Sequence, residues 1–350
     1  KMTASKWMKQ LKNMEGAVDK EYNPFAEGNV LRTKSPSLNW VFGKGAGLPF
    51  GYSAILFGPP KSGKSLLSNL FIGNLHQTDK EAVAIKFNTE MREEGQTSEY
   101  WGIDQDRYMA FNVNTPEMVF DRIAGEITQM VQDGMPLKLI VIDSLQGMQG
   151  MREAAAESIT NHQIGDHALM LQKGLKRILP LIRKHRIALI CTAHIRANLD
   201  AGMYGPKEKM AGSWAMKHYF EYFIEVKRDG SKEGKSDELG NALEDDSVKD
   251  FRGNKERVGH KIYVRMDDSS VGVAGRSGEF TLSYKEGLIN THEEVFLMAK
   301  NLGLVEQPNN RTYIFGGNSY SSKKDFLTAL RDNSEMQKQV IDLAYLRDKV

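Results

Sequence analysis

The stretch Gly58-Pro-Pro-Lys-Ser-Gly63-Lys64-Ser65 limits what this chain can fold into more than any other. It is a G-x-x-x-x-G-K-S octet that follows an apolar run, Ser53 to Phe57, and opens a helical pattern, Lys64 to His76. A strand that ends in such a loop, with a helix N-terminus behind it, turns a ring of backbone N–H groups toward one anion. Gly58, Pro59, Pro60, Lys61, Ser62 and Gly63 form the cradle, Lys64 reaches the β and γ phosphates of a nucleotide, and the Ser65 hydroxyl ligates Mg²⁺. The octet therefore requires a strand-loop-helix unit, and with it an α/β architecture.

The rest of the chain extends that unit. Ala82 to Phe87, Tyr108 to Val113, Leu137 to Asp143 and Ile187 to Ala193 read as near-continuous apolar strands, alternating with helical patterns over Pro116 to Gln132 and Asp166 to His185. Strands apolar on both faces predict a mostly parallel sheet with helices on either side. Tyr219 to Val226, Lys261 to Arg265 and Phe280 to Tyr284 follow without intervening helical patterns and predict an antiparallel extension. Asp229 to His260 holds six hydrophobic residues in 32 and reads as a long polar loop or disordered insertion. The expected organisation is an N-terminal helix and linker over 1–28, a nucleotide-binding core over 29–287 and a small α+β C-terminal domain over 288–350. That last domain has helices near His292 to Leu302 and Ser321 to Arg331, with a turn at Gly316-Gly317 between them. At the other end, Ala4, Trp7, Met8, Leu11 and Met14 share one helical face, with Lys6, Lys9 and Lys12 elsewhere around the helix. Such a helix packs on its own core or docks on a neighbouring protomer.

Composition narrows the function classes. The 47 Lys+Arg against 45 Asp+Glu leave a net charge of +2, which excludes a uniformly basic nucleic-acid coat. The charge is uneven, however. Ser144 to His218 carries 11 Lys+Arg against 5 Asp+Glu, a net of +6, whereas Asp229 to His260 carries 6 against 9, a net of −3. One cysteine, Cys191, excludes an internal disulfide and a multi-thiolate zinc site. No apolar run approaches the ~20 residues that span a bilayer, and the first thirty residues have no signal-peptide pattern. The expectation is a soluble cytoplasmic protein without a membrane partner.

Three polar residues end apolar strands on the edge where the phosphate loop lies. Asp143 closes Leu137 to Asp143 and is placed to hold Mg²⁺ beside Ser65. Glu90, just past Ala82 to Phe87, is placed to orient a water for attack on the γ phosphate. His194 ends Ile187 to Ala193, where a polar side chain senses whether that phosphate is present. Glu93 and Glu94 read as solvated surface, and His162, Asp166 and His167 fit no common metal-site spacing.

In order along the chain, Val30-Leu-Arg-Thr-Lys-Ser-Pro36, the phosphate loop, Glu90, Trp101-Gly-Ile-Asp104, Val141-Ile-Asp-Ser144, Ile164-Gly-Asp-His167, Thr192-Ala-His-Ile-Arg196 and Gly212-Ser-Trp-Ala-Met-Lys217 resemble the RecA recombinase family, most closely its phage UvsX-like branch. The resemblance implies a RecA-type ATPase core using ATP and Mg²⁺. It also implies a helical filament on single-stranded DNA that exchanges strands with a homologous duplex, and loader and single-strand-binding proteins as further partners. Phage encoding would put the chain in the host cytoplasm. Lys64, Glu90 and His194 would be the catalytic residues, with Ser65 and Asp143 at the metal. His194 stands where bacterial members carry Gln, and the UvsX-like branch resembles this sequence in using His there. The first DNA loop would be about Gln146 to Gly165 and the second about Arg196 to Ser213.

In the second loop, Leu199, Met203 and Tyr204 suit wedging or stacking between bases, and Arg196, Lys207, Lys209 and Lys217 suit phosphates, with Gly212 and Ser213 at its end. Lys176, on the helix after the first loop, would be a further phosphate contact. Two departures stand out. Thr97 occupies the position of the adenine-stacking aromatic, so base recognition would use Tyr100 or be less selective. Arg265 matches one of two basic residues that reach an adjacent protomer's nucleotide, but Asp267 and Asp268 follow it. Two other readings share this core: a ring helicase, and an accessory protein that loads or caps a recombinase filament.

Overall fold

The computed structural model describes residues 4–14, 21–91, 101–148, 166–197, 208–210, 218–231, 233–272, 274–284 and 286–347. In chain order its elements are α1 (Ala4–Lys12), β1 (Val30–Leu31), α2 (Pro36–Val41), β2 (Leu48–Pro49), β3 (Ser53–Gly58), α3 (Lys64–Thr78), β4 (Val83–Asn88) and β5 (Tyr108–Asn112). The helix α4 spans 116–132 and includes a π-type turn at Ile123–Ile127. Next come β6 (Leu137–Asp143), α5 (Asp166–His185), β7 (Ala188–Ala197), β8 (Glu208–Met210), β9 (Tyr222–Arg228), β10 (Glu244–Lys249), β11 (Lys255–Arg257), β12 (Gly259–Ser269), β13 (Ser277–Ser283) and β14 (Gly287–Ile289). The C-terminal elements are α6 (Thr291–Asn301), β15 (Tyr313–Phe315), β16 (Asn318–Tyr320), α7 (Lys323–Asp332) and α8 (Ser334–Leu346).

One large sheet runs in the order β14-β13-β12-β9-β3-β7-β6-β4-β5. The strands from β9 to β5 are mutually parallel, and β12, β13 and β14 continue the sheet antiparallel. The two-residue alternation of a strand divides its core. Ala54, Leu56, Leu139, Val141 and Ile190 face α3 with Leu67, Leu70 and Phe71. Their neighbours Ile55, Phe57, Ile140, Ile142 and Leu189 face α4 and α5, meeting Val119, Phe120, Leu175 and Ile178. At Gly174 a Cβ would sit 2.1 Å from the Phe120 ring, so the helices α4 and α5 approach as closely as they do only because that position has no side chain. A parallel sheet covered on both faces, with a short N-terminal helix, agrees with the expected fold class.

Two expectations need correction. The stretch 229–260 is not a structureless loop: β10 and β11 pair antiparallel within it, and β12 begins at Gly259, two residues earlier than its apolar run. Charged and polar residues can form such a hairpin because the ladder needs only backbone groups, which a hydrophobicity reading does not see. The strand ending at His194 runs on to Ala197 and pairs with β8, so part of the expected second loop is sheet. The C-terminal segment has its own aromatic core, with Tyr313 and Phe326 stacked at 5.5 Å, but it is tied to residues near the N-terminus.

That tie is made by Glu294 on α6. Its Oε2 accepts from Ser35 Oγ at 2.5 Å, Ser37 Oγ at 2.8 Å and Ser37 N at 3.2 Å, all at the start of α2. Tyr345 on α8 adds a hydrogen bond to the Pro36 carbonyl at 3.1 Å. Burial pushes the Glu294 carboxyl up to about 8, and the three serine donors oppose that shift. Glu293 beside it is pushed up to about 7, also chiefly by burial. A carboxyl whose folded value is raised binds its proton more tightly when folded. The stabilisation from Glu294 is therefore complete below its ordinary value of 4.5 and is lost as pH rises through about 8. Thermal unfolding followed from pH 6 to pH 9 should show falling stability, and Glu294→Gln should flatten that slope.

Candidate nucleotide site

The phosphate loop leaves β3 at Gly58, where a Cβ would lie 2.1 Å from the Val226 carbonyl oxygen on β9. Only glycine admits that approach. Lys61 at φ +61 and Gly63 at φ +100 turn the loop through left-handed conformations into α3. No side chain caps α3, which leaves its N-terminal N–H groups directed at the loop's concavity. Lys64 is buried, and its Nζ donates to the carbonyls of Pro59 at 2.7 Å and Gly58 at 3.0 Å. Burial lowers the Lys64 pKa, and the charges of Asp143 and Glu90 oppose that shift. Ser65 is exposed at the first turn of the helix. An uncapped helix end, a retracted ammonium, a free hydroxyl and a nearby carboxylate make a donor set that fits a Mg²⁺-nucleotide.

Asp143 ends β6 with both oxygens engaged. Its Oδ1 accepts from Thr192 Oγ1 on β7 at 2.6 Å, and its Oδ2 lies 3.6 Å from Lys86 Nζ. Lys86 is only 2% exposed, points inward from β4 and also donates to Asn69 Oδ1 on α3 at 3.1 Å. One buried ammonium thus joins the phosphate-loop helix to the carboxylate that ends β6. Glu90 is held next door. Its backbone N donates to Asn88 Oδ1 at 3.1 Å, while its Oε1 accepts from Ser144 Oγ at 3.3 Å and lies 2.9 Å from His194 Nε2. The His194 backbone N donates to Gln146 Oε1 at 3.0 Å. Thr89 Oγ1 donates to the Ser144 carbonyl at 2.5 Å and accepts from Ser144 N at 2.9 Å, across the cis peptide Asp143-Ser144.

The structure therefore brings Gly58, Pro59, Pro60, Lys61, Ser62, Gly63, Lys64, Ser65, Glu90, Asp143 and His194 to one edge of the sheet. Arg265 is elsewhere, exposed on β12 with Glu225 and Ser277 as its cross-strand neighbours. Lys176 is exposed on α5. Arg196 and Lys209 are backbone register partners across β7 and β8. Leu199, Met203, Tyr204, Lys207, Gly212, Ser213 and Lys217 lie outside the described residues, as do Thr97, Tyr100 and most of the first loop. Among the described residues no cluster of His, Cys, Asp and Glu could hold a metal on its own, and no helix is long and apolar enough to cross a membrane.

Sequence reading missed Lys86, Thr192, Asn69, Ser144 and Gln146 as members of the site. Lys86 and Thr192 did leave a signal, since each is a polar residue inside an otherwise apolar run of a central strand.

The RecA N-terminal domain family model matches residues 19–289, well over half of the chain and including every residue of this edge. The chain belongs to the RecA family. Protein RecA of Paracoccus denitrificans is 25% identical over 324 residues, covering 91% of this chain and 82% of that protein. Protein RecA of Legionella pneumophila is 23% identical over 310 residues, covering 85% and 80% respectively. Protein RecA of Bifidobacterium breve is 22% identical over 317 residues, covering 91% and 73%.

In this RecA-family site the Lys86 ammonium compensates a nearly buried carboxylate, and removing one partner of such a pair costs about 3 kcal/mol or more. Lys86→Met should lower the urea midpoint of the nucleotide-free chain accordingly. Added ATP with Mg²⁺ should restore part of the loss by supplying Asp143 with another cation.

Proposed function

We propose that this RecA-family chain is a DNA-dependent ATPase that forms filaments on single-stranded DNA and exchanges strands with a homologous duplex. The observation that carries the reading is the 2.9 Å contact between Glu90 and His194. It joins the carboxylate nearest the expected γ phosphate to the strand that continues into the second candidate DNA loop. Two chemically distinct tasks, hydrolysis and DNA grip, thereby share one hydrogen bond.

The residues divide the work by position. The phosphate-loop N–H groups and Lys64 bind the triphosphate, and Lys64 leaves the Pro59 and Gly58 carbonyls to do so. Ser65 and Asp143 would hold Mg²⁺, which would supply neutralisation of phosphate charge. Thr192 and Lys86 fix the orientation of the Asp143 carboxylate. Glu90, steadied by Asn88 and Ser144, orients the attacking water and takes up its proton. A γ phosphate competes with Glu90 for the His194 imidazole, and any shift of His194 passes along β7 to Arg196 and through Gln146 to the first loop. Arg265, exposed on the sheet extension, is available to an adjacent protomer's nucleotide, so ATP would sit between protomers. A histidine at position 194 supports placing the chain nearest the UvsX-like branch.

Glu90→Gln should keep ATP and DNA binding while DNA-stimulated hydrolysis falls by about 10²-fold or more. Steady-state phosphate release, read beside strand exchange of a labelled oligonucleotide into a homologous duplex, checks both halves. Parental hydrolysis in this variant removes Glu90 from the role. Absence of strand exchange by the parent chain, with electron micrographs showing rings or single particles, removes the recombinase reading.

A further inference from the structure

The hairpin β10-β11 does not serve the nucleotide site, and its tip carries the most exposed large hydrophobic side chain among the described residues, Phe251 at 94%. A phenyl ring held in water contributes nothing to folding, so its place on a stiff support needs another explanation. The support is stiff because Asp250 ties the turn together. Its Oδ1 accepts from the backbone N of Arg252 and of Asn254, both at 2.8 Å, and its Oδ2 accepts from Asn254 Nδ2 at 2.9 Å. Backbone bonds from Asp250 N to the Asn254 carbonyl and from Gly253 N to the Asp250 carbonyl, each 2.9 Å, close the loop.

Charge on the hairpin is uneven along its length, with Lys249, Arg252 and Lys255 around the tip and Glu244, Asp245, Asp246 and Glu256 toward the root. Lys249 and Lys255 are cross-strand partners at the foot of the turn, and Arg252 lies 5.3 Å from the Phe251 ring. Like charges set directly opposite weaken an isolated hairpin, so this pair favours an anionic partner. The one acid of the tip, Asp250, spends its carboxylate on the turn. Glu244, Asp245 and Glu256 lie at the far end, paired in register as Glu244 with Arg257 and Asp245 with Glu256. Beyond them, at the root, Arg228 and Tyr284 contact the two ring nitrogens of His260. Burial, together with the charges of Arg228, Arg257 and Lys235, pushes His260 down to about 4. The imidazole stays neutral beside these cations.

The root also has a meaningful position. The strand β9 runs parallel to β3, with Phe57 beside Glu225, so Arg228 lies on the same sheet edge as the phosphate loop. From that edge Gln146 and Arg196 begin the two candidate DNA loops. We propose that the hairpin is a third nucleic-acid contact, in which Phe251 stacks on an unpaired base while Lys249, Arg252 and Lys255 hold the flanking phosphates. The assignment rests on the DNA-binding reading above and adds a site within it.

Fluorescence anisotropy of a labelled oligothymidine tests it. Phe251→Ala, which removes no packing, should bind ATP as the parent does but bind the oligonucleotide at least fivefold more weakly, and Phe251→Trp should recover parental affinity. Lys249→Ala with Lys255→Ala should reduce the slope of log affinity against log salt by about 1 to 2. Cross-linking of a 5-bromouracil oligonucleotide should map to the peptide containing Phe251. Parental affinity in Phe251→Ala, with cross-links only elsewhere, overturns the hairpin site and leaves the recombinase reading standing. Failure of the parent chain to bind the oligonucleotide at all overturns both. If Phe251→Ala loses self-association in sedimentation without DNA, Phe251 belongs to a contact between copies and the proposal falls.

Discussion

Two ammonium groups and two carboxylates crowd the carboxyl edge of one sheet, and much of the site's geometry answers to keeping them apart and compensated. Lys64 is drawn onto the loop carbonyls, Lys86 onto Asp143, and Glu90 onto Ser144 and His194. Each pairing crosses from one strand or helix to another, so the charge balance also fixes the spacing of β3, β4, β6 and β7. Placing such groups where water is scarce is costly unless they are compensated, and here the points of compensation define the candidate site. The apolar layers on both faces supply the bulk of the stability and hold those strands in register.

The second consequence of the edge is coupling. Thr89 bridges to Ser144, Gln146 reaches His194, and Asn69 reaches Lys86, so few polar groups near the phosphate loop belong to one element alone. A change in any one of them therefore reaches a second element. Such an arrangement suits a protein whose grip on one ligand must depend on another.

Most of the core was legible in the sequence because its signals are local. Apolar runs, helical periodicity and the octet each declare themselves within a dozen residues, and the strands Leu137–Asp143 and Ser53–Gly58 fall where those signals put them. The interactions that complete the site were not legible, since they depend on which strands become neighbours. Nothing near Lys86 in the chain announces Asp143, 57 positions later, as its partner. The hairpin over 244–257 was hidden for another reason: its stability lies in backbone ladders and an aspartate turn, not in apolar burial. Glu294 was hidden too, because a glutamate on an amphipathic helix looks like surface until α2 is seen to cover it.

The unbroken course of β7 adds a mechanical point. Thr192, which holds Asp143, His194, which meets Glu90, and Ala197, where the described strand stops, are on one extended segment that spans about 16 Å at ~3.3 Å per residue. Its inner part is hydrogen-bonded to β3 and β6 and its outer part to β8. An extended strand resists compression and has no internal joint, so it works as a connecting rod. A displacement at the Thr192 end is therefore carried along the strand toward its pairing with β8. The cost is that neither end can relax independently of the other.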